Sequence, residues 1–290
     1  MTRNRHLRAE NCSNTEPIRN PMKFLHYRDL AKTETEFPIS AEWGQGRSIF
    51  GGLTAALVLV HIESNVDLTG RDLRTVNIHF CGAVIADIPC EFRHRVLSQG
   101  RSVIQIEGQL LQEGEVKTEI IACFTTDRIS AITIDSPSKI FPVAAQDTQE
   151  MNSEFKQGLA PRFVGYFDLR QTNNNLPFTG SDHSLITGWM RFAKPSESLN
   201  DATILALIDA WPPAVLPMMT QRAPSSTITW NIEFMHPRAA LEVEDMLYYE
   251  CSAIQSGRGY AHTQGKIYHP NGQLLALSRQ MVGVYDKVIT

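Results

Sequence analysis

The sequence predicts an α+β protein in which one unit, a long helix wrapped by an antiparallel sheet, occurs twice. Two segments, 53–63 and 200–211, have the apolar spacing of buried helices. Each is followed by a series of strand-like runs joined by short turns. The third observation is internal similarity: TVNIHF at 75–80 recurs as TWNIEF 154 residues later, and Gly100-Arg101 recurs as Gly257-Arg258 after 157 residues. We therefore predict a duplicated unit of roughly 110–130 residues.

The first unit begins after an N-terminal tail. Residues 1–21 hold several arginines and few apolar side chains, so we expect a disordered tail there. Residues 24–42 contain strand-like pieces, and the glycine-rich stretch 44–52 leads into the helix predicted over 53–63. That helix is apolar on nearly all sides, so other structure should enclose it. Four strands follow, over 73–80, 88–97, 102–111 and 116–125.

The second unit is expected after a linker over residues 129–160, where Ser, Pro, Gln and Asp are frequent and periodicity fades. Strands over 163–170 and 184–191 precede the second helix. Asn200 is the predicted N-cap of that helix, and Pro212-Pro213 end it because proline has no N–H to donate. Four strands follow again, over 227–235, 246–253, 261–268 and 274–285.

Asp209 stands out in the second helix because its neighbours are apolar. The stripe that contains it is formed by Ile204, Leu205, Leu207, Ile208 and Trp211. A carboxylate buried there without a partner would cost on the order of several kcal/mol. Asp209 should therefore face a cleft, a partner or hydrogen-bond donors, and the alternative is a position on the exposed edge of the helix.

The composition of the chain argues against several classes of protein. A hydrophobic content of 42%, a charged content of 20% and a net charge of −4 are typical of a soluble globular protein without the basic surface of a nucleic-acid binder. No apolar run is long enough to span a membrane. The five cysteines form no CxxC pair, and Cys81, Cys90 and Cys123 lie in apolar strand-like runs, so we expect reduced, buried thiols in a reducing compartment. We expect a cytoplasmic location, with peroxisome and mitochondrion as alternatives. The isolated histidines predict no metal site, and no cofactor is expected.

Several motifs together resemble the acyl-CoA thioesterase II (TesB-like) family. They are DATILALIDAWPP at 201–213, SSTITWNIEFMHP at 225–237, SGRGYAHTQG at 256–265, NGQLLALSRQMVGVY at 271–285 and, in the first half, RSIFGGLTAA at 47–56. The resemblance implies a double hotdog fold, two tandem repeats that each wrap an antiparallel sheet around one helix. The N-terminal hotdog would span 22–128, and the C-terminal hotdog, over 161–290, would carry the catalytic residues.

The resemblance also implies thioester hydrolysis by an activated water, with the catalytic residues at Asp209, Thr227 and Gln280. A carboxylate can accept the proton of the water, and a hydroxyl and an amide can hold that water in place. We add the backbone N–H groups of Gly51 and Gly52 as candidates for stabilising the oxyanion. Strict strand alternation places Thr227 on the face opposite Trp230, so Ser226 or Thr229 remain alternatives.

The expected substrate is acyl-CoA or another acyl thioester. Arg47, Phe50, Trp211 and Arg258 are candidates for contacts with it. We expect a homo-oligomer, either a dimer or a tetramer. Two alternatives stay open. One is a different reaction, such as dehydration or cyclisation, on a pathway-specific acyl group in the same fold, and the other is a non-catalytic acyl-binding module.

Overall fold

The computed structural model describes residues 23–148, 150–151, 160–195 and 199–285. The predicted N-terminal tail lies outside the described residues. One continuous antiparallel sheet of 11 strands dominates the structure, with the order β1-β5-β6-β7-β4-β10-β13-β12-β11-β9-β8. None of the helices in these ranges is both long and apolar enough to cross a membrane.

The first repeat contains the helices α1 (Phe24–Thr33) and α2 (Gly51–Asn65). Its strands are β1 (Glu36–Pro38), the short pair β2 (Gly44–Gln45) and β3 (Ser48–Ile49), β4 (Asp72–Phe80), β5 (Pro89–Gln99), β6 (Val103–Gln112) and β7 (Glu115–Thr125). The prediction of strand-like pieces from residue 24 onward was wrong for the first ten residues. They form α1 because one side of this segment packs against α2, burying Phe24, Tyr27 and Ala31.

Among the described residues of the second repeat, the α-helix is α3 (Asp201–Ile208). Its strands are β8 (Phe167–Gln171), β9 (Ile186–Phe192), β10 (Ser225–Phe234), β11 (Leu247–Gly257), β12 (Tyr260–Tyr268) and β13 (Leu274–Val284). Asn200 is the N-cap of α3 as predicted: its side chain accepts from the Thr203 N–H, and the Thr203 hydroxyl accepts from the Asn200 N–H. This capping box satisfies two N–H groups that the helix leaves unpaired.

The two repeats meet at the centre of the sheet, where β4 pairs with β10. Asn77 lies directly opposite Asn231, and the Asn231 side chain donates to that of Asn77 over 2.9 Å. Since these residues are 154 positions apart, which is also the spacing of the repeated motif, a pseudo-two-fold axis passes between them. The axis relates one hotdog to the other.

The two helices at the centre of the repeats form the core. The α2 residues from Gly52 to Ile62 are all buried, and so are the α3 residues from Ala202 to Ile208. The helices pack against each other in antiparallel orientation, with the start of α2 next to the end of α3. Sequence periodicity predicted this enclosure.

Part of the predicted linker packs on the outer face of the second repeat. The Phe141 ring lies 4.6 Å from Trp189 and 4.7 Å from Tyr248, and the Trp189 indole N–H donates to the Val143 carbonyl over 3.0 Å. An ion pair joins Lys139 to Glu250. The linker therefore covers an aromatic patch that the sheet would otherwise expose.

Candidate active site

Asp209 is the residue around which the site is built. It follows the last residue of α3 as the C-cap, with φ −78° and ψ −8°. The Gln280 side-chain amide, on β13, donates to the Asp209 carboxylate over 3.0 Å. These two residues are 71 positions apart in the sequence, and the fold brings their side chains within hydrogen-bond distance.

The first turn of α2 lies against the same carboxylate. A Cβ atom at Gly51 would be 3.2 Å from an Asp209 oxygen, and one at Gly52 would be 2.8 Å from the Asp209 Cβ. The Gly52 N–H donates to the Asp209 carboxylate. Glycine is needed here because any side chain would enter the space that Asp209 occupies. The helix start also has unpaired N–H groups and the positive end of the helix dipole.

The Asp209 carboxyl group is well suited to accept a proton near neutral pH. Burial raises its pKa to about 7, and the hydrogen bonds from Gln280 and Gly52 oppose that increase. The residue keeps some accessible surface, although protein atoms surround the carboxyl group. A base is most effective when its pKa lies near the working pH, so this environment matches general-base chemistry.

A β-bulge brings Thr227 to the side of the sheet that carries Gln280. Trp230 pairs with Gln280, but the register shifts between Thr227 and Thr229, so Thr227 pairs with Val282. Val282 and Gln280 are two residues apart on one strand and therefore share a face. Strict alternation, which put Thr227 on the opposite face from Trp230, was wrong because the bulge inserts Ile228 as an extra residue.

The two alternatives to Thr227 lie elsewhere. Thr229 pairs with Met281 and with His79 of β4, on the other face of the sheet. Ser226 is exposed, and its hydroxyl lies 3.2 Å from that of Tyr285. Thr227 is a diagonal cross-strand neighbour of Gln280, a relation that places side chains roughly 7–8 Å apart, enough for a bridging water. Among the described residues, Thr227 shows no direct hydrogen bond to Asp209.

The first repeat offers a natural comparison, because its register is the same. The pairs Leu73 with Phe124 and Val76 with Ala122 correspond to Thr227 with Val282 and Trp230 with Gln280, and β4 carries a bulge between Leu73 and Thr75. Counting from the helix starts, Leu59 corresponds to Asp209. The equivalents of the three predicted catalytic residues are thus Leu59, Leu73 and Ala122, and all are buried. Only the second repeat has polar groups at these positions.

The four residues suggested for substrate contact differ in their surroundings. Phe50 is fully buried, and its ring stacks on Phe163 at 4.1 Å. Trp211 is buried beneath the end of α3. Arg47 is exposed in the β2–β3 turn. Arg258 is exposed in the β11–β12 turn, five residues along the strand from the partner of Gln280, or roughly 16 Å away at the usual rise per residue.

Two parts of one protein family match this chain in succession. The description "Acyl-CoA thioesterase N-terminal domain" matches residues 39–125, and "Acyl-CoA thioesterase C-terminal domain" matches residues 142–284. The chain belongs to the acyl-CoA thioesterase family. Membership of this family indicates hydrolysis of acyl thioesters. A comparison with curated proteins finds no significant match.

Solved structures share the hotdog fold of this acyl-CoA thioesterase family member. A conserved protein of unknown function with a hot dog fold from Alicyclobacillus acidocaldarius has a TM-score of 0.76 at 23% identity, covering 91% of this chain and 99% of that chain. A putative thioesterase II from Thermobifida fusca has a TM-score of 0.71 at 17% identity, covering 89% and 97%. The acyl-CoA thioesterase II TesB2 from Mycobacterium marinum has a TM-score of 0.66 at 20% identity, covering 87% and 93%. The predicted fold class is confirmed.

Two aromatic residues of this thioesterase family member adjoin the site and were not predicted from the sequence. The Phe80 ring would lie 3.0 Å from a Cβ at Gly51, so it forms a wall beside the start of α2. Tyr249 stacks on Trp211 with parallel rings 5.5 Å apart. Phe80 ends the repeated TVNIHF motif, which was the available signal for its placement. Tyr249 had no comparable signal, because its contact depends on where α3 ends.

Proposed function

We propose that this protein hydrolyses acyl-CoA, or a related acyl thioester, to a free acid and a thiol. The observation that supports the proposal most directly is the hydrogen bond from Gln280 to Asp209 beside the start of α2. It combines a base, an amide that orients the base and a set of backbone donors in one place. Family membership supports the same reaction class.

In the proposed reaction, water is the nucleophile. Asp209 accepts one proton of the water while the oxygen forms a bond to the thioester carbonyl carbon, and the carbonyl oxygen becomes an oxyanion. Gln280 orients the Asp209 carboxylate, and the Thr227 hydroxyl helps to hold the water. The C–S bond then breaks, and the thiolate leaves with the proton that Asp209 accepted. No covalent enzyme intermediate is required.

The oxyanion would be stabilised by the start of α2. Because the Gly52 N–H already donates to Asp209, the Gly51 N–H is the donor we assign to the carbonyl oxygen of the substrate. One well-placed donor of this type contributes about 3 kcal/mol to the stabilisation of the transition state. The positive end of the helix dipole acts in the same direction.

A cysteine nucleophile is less suitable at this site. Cys251 is the buried cysteine on the inner face of the second repeat, and burial raises the pKa of its thiol to about 11. The thiolate is the reactive form, so a thiol with this pKa is protonated at neutral pH. The acid Asp209, with a pKa of about 7, is the group whose protonation state suits the reaction.

The test is thiol release from acyl-CoAs of graded chain length by the wild-type protein and by Asp209→Asn. We expect release by the wild type and a loss of roughly 100-fold or more in the variant, the range expected for a general base. Asp127→Asn, at an exposed acid, is the matched control and should keep full activity.

Each other result points to a specific alternative. Equal rates for the wild type and Asp209→Asn would refute Asp209 as the base. Binding of acyl-CoA without thiol release would favour the non-catalytic acyl-binding module. Conversion of the acyl group with the thioester intact would favour the different reaction in the same fold.

Self-association is a second part of the proposal. In the described residues, β1 pairs only with residues 89–91 of β5, and β9 pairs only with residues 247–251 of β11. The outer halves of β5 and β11 thus present unpaired backbone edges, which can pair with another copy. Light scattering of the purified protein should give a dimer or tetramer, and a monomer at all concentrations would contradict this.

A further inference from the structure

We propose that Trp211 is a positioning residue that holds Asp209 in place through a clamp formed with Gly188, Met190 and Tyr249. The inference rests on the proposed function, in which Asp209 is the base. Trp211 would touch neither substrate nor water and would act only through the backbone that connects it to Asp209. We propose this role in place of the substrate contact predicted from the sequence, and the side chain is buried, with 5% of its surface exposed.

Three contacts fix the indole ring in both position and orientation. Its plane lies parallel to the Tyr249 ring, with an interplanar angle of 3° and 5.5 Å between centroids. Its N–H donates to the Met190 sulfur over 3.2 Å. Its outer edge lies over Gly188, where a Cβ would be only 2.5 Å from the indole Cη2. Any residue other than glycine at 188 would therefore collide with both the ring and the Arg170 carbonyl.

The backbone around Asp209 needs such support. The Asp209 N–H is shared between the Leu205 carbonyl, at 3.4 Å, and the Leu207 carbonyl, which also accepts from the Ala210 N–H at 3.2 Å. The 3.4 Å distance is longer than usual for an amide hydrogen bond, and 3.2 Å is at the upper end of the usual range. The chain then continues into Pro212-Pro213, which have no N–H to extend the helix. The hydrogen bonds from Gln280 and Gly52 hold the Asp209 carboxylate, and the anchored ring two residues later holds the backbone from which it projects.

The first repeat shows how the same position looks without a catalytic acid. His61 occupies the place of Trp211, counting from the helix starts, and Phe92 occupies the place of Tyr249 in the sheet register. Their rings are tilted by 36° and lie 6.0 Å apart. The helix α2 continues beyond His61 to Asn65, so its own hydrogen bonds hold the backbone there. Of these two equivalent ring pairs, the parallel one belongs to the repeat in which the helix ends at Asp209.

The experiment compares Trp211→Leu, Trp211→Phe and the matched control His61→Leu in acyl-CoA hydrolysis. Trp211→Leu should lower kcat by roughly 100-fold with little change in KM, because small misplacements of a catalytic group cost about that much. Its kcat profile should also retain activity to lower pH, since a loosened carboxylate gains water and becomes more acidic. Trp211→Phe, which keeps a ring for stacking, should restore most of kcat. His61→Leu should leave the pH profile unchanged.

A merely structural role for Trp211 would give a different pattern. Unchanged kcat and pH profile in Trp211→Leu, or an equal shift in His61→Leu, would overturn the proposal. If Trp211→Leu fails to fold, Tyr249→Leu removes the stacking partner and keeps the indole, and the same changes are expected. Tyr249→Phe is its control, because it keeps the ring and removes the hydroxyl that interacts electrostatically with Asp209, and it should show neither change. Full kcat and an unshifted profile in Tyr249→Leu would then count against the clamp.

A second measurement separates this inference from the proposed function. If the wild type hydrolyses no thioester, the proposed function fails, but the clamp still predicts the protonation behaviour of Asp209. The free energies of unfolding of the wild type and of Asp209→Asn should differ by an amount that changes with pH. That change should shrink by at least half when both proteins also carry Trp211→Leu. An equal pH dependence in both backgrounds would refute the clamp without reference to activity.

Discussion

Replacing Asp209 by asparagine should make the protein's stability less dependent on pH. Asparagine has nearly the same shape, and its one side-chain oxygen can still accept the hydrogen bond that Gln280 donates. The substitution therefore removes the titration of one group and keeps its packing. Comparing the two proteins isolates the contribution of this carboxyl group from every other titrating residue.

The magnitude follows from the pKa of Asp209, which burial raises from 3.8 to about 7. A folded-state pKa above the unfolded value means that protonation stabilises the folded protein. That stabilisation is complete below the unfolded pKa and is lost as the pH rises through the folded value. With about 1.4 kcal/mol for each pKa unit, the wild type should lose up to about 4 kcal/mol relative to the variant between about pH 4 and pH 8.

The assay is urea unfolding of both proteins, followed by tryptophan fluorescence across this pH range. The plotted quantity is the difference between their free energies of unfolding at each pH. We expect this difference to move in favour of Asp209→Asn as the pH rises from about 4 and to level off once the pH has passed about 7. A difference that stays constant from acid to alkaline pH would show that Asp209 titrates normally, and it would refute the argument that burial prepares it as a base.

Three further predictions concern neighbouring positions. Thr227→Val should lower kcat for thiol release roughly tenfold or more by removing the hydroxyl that holds the water, whereas Thr229→Val, on the other face, should not. Gly52→Ala should cost about 1–3 kcal/mol in urea unfolding because its methyl group meets both the Phe50 ring and Asp209, whereas Gly165→Ala has open space. Burial raises the pKa of Glu63 to about 8, so Glu63→Gln should remove a loss of stability that the wild type shows as the pH rises through that value.

Each of these has a result that would contradict it. Equal losses of activity in the two threonine variants would contradict the inference that the bulge places Thr227, and not Thr229, on the face of the sheet that carries Gln280. A Gly52→Ala protein as stable as Gly165→Ala would mean that the start of α2 has more room than the structure shows. An unchanged pH dependence of unfolding in Glu63→Gln would show that this carboxyl group titrates normally.

The fold was predictable from the sequence because the same pattern, an apolar helix followed by four strands, occurs in both halves. Strand ends predicted from turns and alternation fall within a few residues of β4 to β7 and β10 to β13. The helix α1 was missed because it has few local helix signals: Lys23, its N-cap, makes no side-chain cap, and the first turn has no acidic residue. Packing against α2 stabilises it, and that contact is not visible in a local pattern.

The three predicted catalytic residues show a different limit of prediction from sequence. The sequence and its resemblance indicated Asp209 and Gln280 by residue type, and the fold places them in hydrogen-bond contact. The face of Thr227 could not be read from alternation, because one extra residue in a strand reverses the pattern on one side of it. A bulge has no reliable residue signature, and the residue inserted here, Ile228, looks like an ordinary strand residue.

The bulge is also present in the first repeat, where none of the predicted catalytic residues lies. Leu73 occupies the position of Thr227. Both repeats therefore have the bulge, but the hydroxyl group at this position occurs in the second repeat. Polar side chains alone would not convert the first repeat into a second site. Where α2 offers the bare glycines at 51 and 52, α3 begins with Asp201, whose carboxylate pairs with Arg238. A negative charge at that helix start would oppose an oxyanion, so the start of α2 determines, as much as the three predicted catalytic residues, which repeat can be catalytic.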